Sequence, residues 1–579
     1  MPAATIAVAA NARLPWPANK RIGAANLIRL RTGGIGLDLH FRLMAVWPKF
    51  LYLFGLSLSS NATARKLRRP QNDAGAQAQA LASLTHSLGA TAFWRGRGIV
   101  AGMPYARFQS AVPLCRHEHL AASIERMRDG AADVLWPGPC TQFVQTAGAS
   151  TGQPRQLPMT AALLAHYRQA ALAALLYYTA RVGHTGAFRG RQLIIGAATS
   201  RPSELANASP PRTGDLSRTL ARALPAWAVQ HLYEPGITID KIADDAARLA
   251  ALVTRATQRD LALLAGTPAA LLEFAQALHP PPAAEPFSQF KPLRPPPDLL
   301  TTWPNLECCV HTGMILAPLA EELREKMGAT VNFHEVYGVA EGFIAAEAPP
   351  DGAHGLRLMA DLGLFFEFLP LAEFDVLRWE HLGPKAVPLS EVTVGIDYAL
   401  VLTTPGGLAR LVIDDIVRFT SKEPARLIYR GKTTLRLNRF AENLMEQDLT
   451  AALVTVCARH RWRIVNFHVA PLTTIRRLTA PPGGRHEWWL ELQPGTEETP
   501  IGSLIAAELD AELQANYPDY ATQRNAGVLE SALVRLVAPG VFAHCLRHGG
   551  RGGHATLPRC RSDRVIADEL AQITHFAPD

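Results

Sequence analysis

The sequence predicts an α/β protein with a large N-terminal domain, built on mixed or parallel sheets with β-hairpin elements, and a small mobile α+β C-terminal domain. The first observation is the length, because 579 residues exceed the ~100–200 residues of one domain. The second is the alternation of short strand-like and helix-like segments beyond residue 297. The third is a smaller unit that begins after about residue 421. We expect an extension over residues 1–70, a large domain over residues 71–424 and a cap domain over residues 425–579.

Apolar periodicity predicts the helices of the N-terminal half. The segments with helical spacing are Gln77–Leu88, residues 118–128, residues 160–182 and residues 240–264. Thr267 and Pro268 are typical of an N-cap and a first helical residue, so a further helix is expected over residues 268–278. Residues 279–297 contain eight prolines, which predicts a stiff loop without regular structure.

Short apolar segments predict the strands. They are Gln192–Gly196, Thr330–Val336, Leu364–Phe368 and Ala399–Thr404. Pro405-Gly406-Gly407 then turns the chain and Leu408–Phe419 returns, which predicts a β-hairpin. Helices near residues 445–459 and 502–515 would belong to the C-terminal unit.

Composition and charge narrow the function. Lys and Arg number 58 and Asp and Glu 50, which gives a net charge of +8 without any long basic tract. Such a charge fits an enzyme with anionic substrates at least as well as a nucleic-acid-binding protein, and we expect no nucleic-acid partner. The seven cysteines include no Cys-x-x-Cys pair, which argues against structural zinc and a disulfide framework and favours a reducing cytoplasm.

The most apolar segment is Leu43–Leu58. Pro48 and Lys49 divide it into two pieces, each shorter than the ~20 residues that span a bilayer, so no integral membrane span is predicted. We expect this segment to pack as a helix on the body of the protein, with a weak contact to a membrane surface as the alternative.

A loop of small and hydroxyl residues is the first candidate binding element. It contains Thr146, Ala147, Gly148, Ala149, Ser150, Thr151 and Gly152. Glycines let several backbone N–H groups converge, hydroxyls add donors and the following Arg155 adds charge, so the loop suits a polyphosphate. It is not a Walker loop, which would need Gly-Lys-Ser/Thr. A plain Gly/Ser turn before a helix is the alternative.

Two further motifs follow. In YGVAEG (337–342), Tyr337 suits a ring-stacking residue and Glu341 a magnesium-binding carboxylate, although such a Glu can also be a solvated loop residue. Asp415, at an expected strand end, could take both hydroxyls of a ribose, whereas two adjacent acids in a turn normally face solvent. About 190 residues separate the loop of glycines and hydroxyl residues from the Tyr-Gly-x-x-Glu motif, and about 75 residues separate that motif from the Asp. This is the layout of adenylate-forming ligases.

Longer stretches carry a family resemblance. They are IERMRDGAADVLWPGPCTQFVQTAGASTGQPR (124–155), LLAGTPAALLEF (263–274), YGVAEG (337–342), FFEFLP (365–370), YALVLTTPGGLARLVIDDIVRF (398–419) and ATLPRC (555–560). From roughly Gln77 to Arg559 the chain resembles the Gretchen Hagen three, or auxin-responsive promoter, family of acyl-acid amido synthetases, bacterial branch.

The resemblance implies a site that uses ATP and Mg²⁺, with the large domain as the adenylating domain. The loop from Thr146 to Gly152 would hold the ATP phosphates, Tyr337 and Gly338 would lie by the adenine, and Asp415 would hold the ribose. Arg430 would belong to the hinge beside the nucleotide, and Glu341 would bind Mg²⁺. We expect Glu341, Arg155, Arg551, His554 and Arg559 to be the catalytic residues.

The implied activity is that of an ATP-dependent, AMP-forming ligase. It would adenylate a small carboxylic acid, release pyrophosphate and pass the acyl group to an amine, an amino acid by resemblance, while the cap domain rotates between two poses. Acyl transfer to a thiol of a carrier protein or of CoA is one alternative. A weakened or non-catalytic descendant that binds a ligand, a nucleotide or a partner protein is another. A cytoplasmic bacterial enzyme of secondary metabolism is expected.

The sequence departs from the family pattern at several positions. The family has Thr at the position of Ala149 and Ser or Thr at the position of Ala340. It has Gly at the position of Asp414 and Lys at the position of Arg155. Asn443 and Thr556 fall where the family has lysines of the C-terminal domain. A local shift of the alignment would explain this, as would weakened adenylation. The third explanation is substitution by other cations, namely Arg547, His548, Arg551 and His554 of the loop before Thr556.

Overall fold

The computed structural model describes residues 49–69, 71–146, 155–196, 212–214, 216–224, 226–235, 239, 242, 244–280, 297–313, 316–374, 379–474, 483–493, 501–548 and 557–576. The chain divides into two compact units, Met1–Val46 and Trp47–Asp579, and every described residue belongs to the second. The predicted loop residues 147–152 and most of the proline-rich segment lie outside the described residues.

The α-helices of the described residues follow the chain in this order: α1 Lys49–Leu67, α2 Asp73–Gly89, α3 Ala92–Arg95, α4 Tyr105–Ala111, α5 His117–Arg128, α6 Ala161–Val182, α7 Leu216–Arg222, α8 Ala226–His231, α9 Asp245–Ala256, α10 Pro268–Leu278, α11 Ala320–Met327, α12 Glu446–Arg459, α13 Gly502–Asn516, α14 Pro518–Asn525, α15 Val541–His548 and α16 Val565–Phe576. The predicted helices over 160–182, 268–278, 445–459 and 502–515 are thereby confirmed. At α10 the Thr267 hydroxyl accepts a hydrogen bond from the backbone N–H of Ala270, which is the predicted N-cap.

The strands are β1 Gln142–Gln145, β2 Gln156–Pro158, β3 Arg191–Ile194, β4 Arg212–Gly214, β5 Tyr233–Glu234, β6 Leu261–Gly266, β7 Cys308–His311, β8 Asn332–Val339, β9 Gly342–Ala346, β10 Leu356–Leu358, β11 Phe365–Pro370, β12 Val387–Pro388, β13 Asp397–Thr404, β14 Leu408–Lys422, β15 Ala425–Lys432, β16 Arg436–Leu437, β17 Leu444–Met445, β18 Arg463–Thr474, β19 Gly483–Gln493 and β20 Leu533–Leu536. The antiparallel pair β13–β14, in which Val401 faces Val412, confirms the predicted hairpin.

Twelve strands form one mixed sheet in the order β12-β11-β13-β14-β15-β10-β9-β8-β7-β6-β3-β5. Neighbours from β5 to β8 are parallel, and neighbours from β8 to β12 are antiparallel. In the parallel half α10 connects β6 to β7 and α11 connects β7 to β8, as crossover connections between parallel strands require. The predicted α/β class is confirmed. The β8–β9 junction, where the two halves meet, carries the motif 337–342.

The predicted helix over residues 240–264 is wrong in its second half. Helix α9 ends at Ala256, and Leu261–Gly266 form strand β6 between β3 and β7. Residues Leu261 to Leu264 are all buried, as in a central parallel strand covered on both faces. Such a strand reads as a continuous apolar run, which periodicity does not separate from a buried helix.

The C-terminal part contains a separate three-stranded sheet in the order β18-β19-β20. Helices α12 and α13 and the strands β18 and β19 share a core that includes Leu453, Trp488 and Leu509. The predicted domain boundary after residue 424 falls in the turn between β14 and β15, and these two strands pair within the large sheet. The division into domains stays a prediction.

Helix α1 begins directly after Pro48, at Lys49, and contacts α6. Its residue Leu56 is fully buried, whereas Phe54 is 62% exposed. For residues 49–58 this agrees with the prediction that the segment packs as a helix on the body, and residues 43–48 lie outside the described residues. None of the helices in the described ranges has the length and apolar character needed to cross a membrane.

Candidate active site

Tyr337 and Glu341 lie close to each other in sequence at the turn between β8 and β9. Tyr337 is buried on β8 next to Gly338, and its ring centroid lies 5.6 Å from that of Tyr429 on β15. Glu341 lies in the turn and is half-buried, so it is not a fully solvated loop residue. Burial, with a smaller contribution from the Asp415 carboxylate, raises the pKa of Glu341 to about 7. Lys432 and Arg155 oppose this shift of the Glu341 pKa, so a mixed set of charges surrounds the turn.

Two consecutive residues of α6 hold this turn in place. His166 accepts a 2.9 Å hydrogen bond at Nε2 from the backbone N–H of Phe343, and its Nδ1 lies 2.8 Å from the carbonyl oxygen of Leu362. The pattern requires a neutral ring with its proton on Nδ1, and burial lowers the pKa of His166 to about 4. The Tyr167 hydroxyl donates to the carbonyl of Val339. Sequence reasoning missed both residues, because their partners lie about 170 to 200 residues away.

Asp415 connects the two predicted motifs. The hydroxyl of Tyr337 donates to its Oδ2 at 2.6 Å, and Nζ of Lys432 donates to its Oδ1 at 2.6 Å. Asp415 is only 2% exposed. Its interpretation as a strand-end or solvent-facing turn residue is wrong, because β14 continues to Lys422 and Asp415 pairs in register with Lys432 on β15.

Lys432 is a cation of the site that sequence reasoning missed. Burial lowers its pKa, but the Asp415 carboxylate more than offsets this and the pKa of Lys432 lies above its ordinary value. The residue is therefore charged at neutral pH. The only signal in the sequence was its position two residues after Arg430, next to the predicted hinge.

Asp414, which the resemblance places where the family has glycine, makes two side-chain hydrogen bonds. Its φ of 66° lies in the left-handed region, which explains why a glycine also fits this position. Its Oδ1 accepts hydrogen bonds from Nη2 of Arg116 at 3.0 Å and from the hydroxyl of Thr433 at 2.9 Å. Asp414 therefore binds α5 and the end of β15 and is not solvent-facing.

The described ends of the predicted phosphate loop lie side by side. The Thr146 backbone N–H donates to the carbonyl of Arg155 at 2.8 Å, and the Arg155 N–H donates to the Thr146 hydroxyl at 3.2 Å. Strands β1 and β2, which precede and follow them, pair antiparallel. The Arg155 guanidinium donates to Glu118 at 3.0 Å. Residues 147–152 lie outside the described residues, so their role stays a prediction.

Arg430 joins the large sheet to the first turn of α12. Its Nη1 donates to Gln447 at 2.9 Å and its Nη2 to Asp448 at 2.8 Å. Asp448 also accepts a 2.9 Å hydrogen bond from the backbone N–H of Met445, which caps the helix. This link lies where the resemblance implies a hinge, whereas contact of Arg430 with a nucleotide stays a prediction.

A cavity of about 150 Å³ lies next to this cluster, between the large sheet and β18. Its charged lining residues are Lys432, Glu446 and Arg559. Arg559 is only 8% exposed. Its Nη1 is buried and has no hydrogen-bond partner among the described residues. Asn443 is exposed, with its side-chain amide 3.4 Å from Asp519, so it contributes no charge. Arg551, His554 and Thr556 lie outside the described residues.

The cluster contains two carboxylates, Asp415 and Glu341, and the cation of Lys432. Both oxygens of Asp415 accept hydrogen bonds from protein groups, and contact of this carboxylate with a ribose stays a prediction. In the described part of the chain no group of three His, Cys, Asp or Glu residues could hold a metal ion. Glu341 alone therefore fits Mg²⁺ only if phosphate and water oxygens complete the shell, which is the usual way in which Mg²⁺ binds with a nucleotide.

Sequence models of one family match three parts of the chain. The GH3 family N-terminal domain matches residues 67–211, the central domain residues 357–429 and the C-terminal domain residues 447–565. Together they cover more than half of the chain.

Curated relatives are similar over part of their length. Indole-3-acetic acid-amido synthetase GH3.10 of Arabidopsis thaliana is 28% identical over 289 residues, which is 47% of this chain and 48% of the relative. Jasmonoyl--L-amino acid synthetase JAR4 of Nicotiana attenuata is 27% identical over 265 residues, which is 43% of each chain. The chain thus spans about half the length of the curated relatives it matches.

Solved structures extend the likeness to the whole fold. AtGH3.15 acyl acid amido synthetase in complex with 2,4-DB is similar with a TM-score of 0.67 at 17% identity. The match covers 89% of this chain and 96% of the chain of that structure. A 2-hydroxyisobutyryl-CoA ligase in the postadenylation state is similar with a TM-score of 0.51 at 15% identity, and the match covers 93% of this chain and 94% of the ligase chain. The fold is the one that these two solved structures share.

Proposed function

This chain belongs to the GH3 family, and from that premise we propose that it is an ATP-dependent ligase that joins a carboxylic acid to an amino acid. It adenylates the acid, releases pyrophosphate and transfers the acyl group to the amine. The observation that carries the proposal is the buried contact of Tyr337, Asp415 and Lys432 beside Glu341. In this cluster the two sequence motifs meet at one place. The names of the relatives, which are acid–amino acid synthetases, support the reaction class.

The residues divide the work as follows. Asp415 accepts hydrogen bonds from the ribose hydroxyls, and Tyr337 and Lys432 fix the orientation of its two oxygens. Glu341, with the loop from Thr146 to Gly152, holds the magnesium–polyphosphate end. Mg²⁺ supplies positive charge against the phosphate oxygens when it is bound.

In the first step an oxygen of the acid attacks the α-phosphorus of ATP, and the bond to pyrophosphate breaks. In the second step the amine nitrogen attacks the acyl carbon, AMP leaves with the electron pair of the C–O bond, and the amine loses a proton. Negative charge develops on phosphate oxygens in the first step, so fixed cations lower its barrier. We assign this role to Arg155, with Arg551, His554 and Arg559 in place of the lysines that the family has at positions 443 and 556. Arg551→Ala should then slow adenylation without loss of the fold, and unchanged turnover would contradict that assignment.

The turn on which Glu341 lies also limits where the acid binds. We propose that the acyl pocket lies between the phosphate loop, α6 and residues 312–342. His166 and Tyr167 of α6 contact both sides of the turn and would fix the distance between the acid and the nucleotide. We further propose a bacterial, cytoplasmic enzyme of secondary metabolism. The reduced cysteines support this location.

Nucleotide binding tests the proposal directly. Mg-ATP and AMP are titrated by calorimetry into the wild type and into Asp415→Ala and Glu341→Ala. We expect binding that Asp415→Ala weakens for both nucleotides and that Glu341→Ala weakens mainly for Mg-ATP. Glu373→Ala is the control, because Glu373 is an exposed acid paired with Lys385 away from the cluster. Pyrophosphate release over a panel of acids then identifies the substrate. A folded wild type that binds neither nucleotide would overturn the proposal and favour a non-catalytic binding protein.

A further inference from the structure

Helix α1 presents one continuous stripe of exposed side chains to solvent. An α-helix has 3.6 residues per turn, so side chains three or four positions apart lie above one another on one side of it. Phe54 is 62% exposed and Leu58 is 56% exposed. The outer stripe consists of Phe54, Leu58, Asn61, Arg65 and, in the turn after the helix, Arg68 and Arg69, all of them exposed. It is apolar at its start and basic at its end.

The opposite side of α1 packs on the protein. Leu56 and Ser60 are buried, and Leu67 packs against a cluster that includes Ala170 and Ala173 of α6. These contacts fix the rotation of the helix about its axis, so the outer stripe cannot turn inwards. A single exposed apolar residue is ordinary, whereas two on adjacent turns of a helix that ends in cations form the kind of surface that contacts membranes.

The cations of the outer stripe are not neutralised by acidic groups of the described residues. Lys66, which is not part of the stripe, pairs with Asp361. Arg65, Arg68 and Arg69 form no ion pair within the described part of the chain. Like charges so close together repel one another, and an anionic surface opposite them would turn this repulsion into attraction.

The positive charge of the whole chain is concentrated at this end of the sequence. Of the 58 Lys and Arg residues, 11 lie within residues 1–69, which contain only one of the 50 Asp and Glu residues. Residues 70–579 contain the other 47 and 49, so their net charge is −2, whereas that of residues 1–69 is +10. The excess charge therefore belongs to the segment that ends in the outer stripe and not to the part of the chain that carries the candidate active site.

We infer that the outer stripe binds the surface of an anionic lipid bilayer, with α1 lying in the plane of the interface. Phe54 and Leu58 enter the boundary between headgroups and acyl chains, and the arginines contact lipid phosphates. The apolar side chains favour a bilayer over a nucleic acid, because phosphate-backbone binding gains nothing from burial of a leucine. The cytoplasmic leaflet of a membrane carries the matching negative charge. This interaction goes beyond the proposed ligase activity and does not depend on it.

Co-flotation of the full chain with lipid vesicles tests the inference. One set of vesicles contains equal parts of phosphatidylcholine and phosphatidylglycerol, and the other contains phosphatidylcholine alone. We expect the wild type to bind the anionic vesicles and not the neutral ones. Arg65→Gln/Arg68→Gln/Arg69→Gln should weaken binding at least tenfold, because each basic residue near an anionic surface contributes roughly fivefold. Phe54→Gln/Leu58→Gln should weaken it by about as much, because two large apolar side chains no longer leave water.

Matched variants remove the same groups from other parts of the surface. Arg107→Gln/Arg126→Gln/Arg189→Gln changes the net charge equally at three exposed arginines outside the outer stripe. Val394→Gln/Ile396→Gln removes two apolar side chains that are 49% and 42% exposed. Both variants should bind the anionic vesicles as the wild type does. If they bind as weakly as the stripe variants, overall charge and hydrophobicity explain the binding and the inference is overturned.

Measurements without vesicles distinguish other occupants of the outer stripe. Phe54→Gln/Leu58→Gln should leave the free energy of unfolding in urea and the sedimentation coefficient unchanged, because both side chains face solvent. A loss of stability would show that another segment of the chain covers the stripe, and a smaller sedimenting species that a second copy does. Either result overturns the inference. So does a wild type that binds neither vesicle or both equally, or that binds duplex DNA more tightly than the anionic vesicles.

Discussion

The hydroxyl of Tyr337 donates a 2.6 Å hydrogen bond to Oδ2 of Asp415, and both residues are buried. The two residues are 78 positions apart and belong to different motifs of the sequence. Strand β8 carries one motif and β14 the other, and β15, β10 and β9 lie between them in the sheet order. Lys432, which also binds Asp415, lies on β15 next to β14. The site therefore depends on the sheet itself and not on a single loop.

Lys432→Met is expected to destabilise the protein. It leaves the buried Asp415 carboxylate without its counter-charge, and loss of one partner of a buried pair costs up to ~3–5 kcal/mol. Because the Lys432 side chain is 25% exposed, we expect a smaller decrease of about 1–3 kcal/mol in the free energy of unfolding. Urea denaturation measures it. The double variant Asp415→Asn/Lys432→Met should recover part of the loss, and strictly additive effects would show that the pair is not coupled.

The sequence predicted the fold class and the two central residues of the site. Tyr337 and Asp415 were found because their residue types, order and spacing follow a pattern that a linear sequence retains. Lys432 was missed because a single lysine beside a glycine is ordinary in a sequence, and only the register of β14 with β15 shows its partner. Burial was also misjudged at Asp414 and Asp415. Two adjacent acids are buried only when each has its own donors, and those donors lie on other elements.

The buried pair of Arg410 and Glu367 shows the same limit. Both lie inside stretches that carry the family resemblance, but their contact spans 43 residues and two strands. The side chains are 0% and 1% exposed. Arg410 donates to both oxygens of Glu367, to two carbonyls from its Nη1 and to one from its Nη2. The local sequence does not indicate that these two charged side chains pair with each other and with backbone carbonyls.

Arg410→Met should therefore be among the most damaging substitutions in the large domain. It leaves Glu367 buried without its counter-charge and its main hydrogen-bond donor, so we expect the free energy of unfolding to fall by about 3–5 kcal/mol. Chemical denaturation checks this. The control is Lys385→Met, which removes an exposed ion pair with Glu373 and should change stability by less than ~1 kcal/mol. Equal effects of the two substitutions would contradict the difference in burial on which the prediction rests.

Glu341 should make both stability and nucleotide binding depend on pH. Its pKa of about 7 in the folded protein lies above the ordinary value of 4.5. The folded state therefore keeps a proton that the unfolded chain loses, and stability decreases as the pH rises from 4.5 to about 7. Glu341→Gln should remove about 1–3 kcal/mol of this decrease. Thermal unfolding from pH 5 to pH 8, roughly the range of Glu341 titration, measures it.

Mg-ATP affinity should show the opposite trend at the same residue. Only the charged carboxylate binds Mg²⁺, so affinity should increase as the pH rises through about 7. Glu341→Gln should flatten this profile, and Glu373→Gln should not. A wild-type profile without a change in this range would argue against Glu341 as the magnesium ligand.

Asp414→Gly separates the effect of backbone strain from that of hydrogen bonding at a position where the resemblance implies a glycine. Glycine adopts the φ of 66° without the penalty that a side chain brings, which favours the variant by up to about 1 kcal/mol. The variant also loses the hydrogen bonds from Arg116 and Thr433, each worth about 1.5–3 kcal/mol to a charged acceptor. Because the second effect exceeds the first, we expect a net loss of about 2–5 kcal/mol in the free energy of unfolding, measured by urea denaturation.

Asp414→Asn is the matched comparison for that experiment. It accommodates the same φ and can still accept from the Thr433 hydroxyl, but it loses the charge opposite Arg116. It should be intermediate between the wild type and Asp414→Gly. Combining Thr433→Val with Asp414→Gly should add little, because the hydrogen bond is already absent. If Asp414→Gly is as stable as the wild type, backbone strain outweighs the two hydrogen bonds, and the aspartate at this position is neutral for folding.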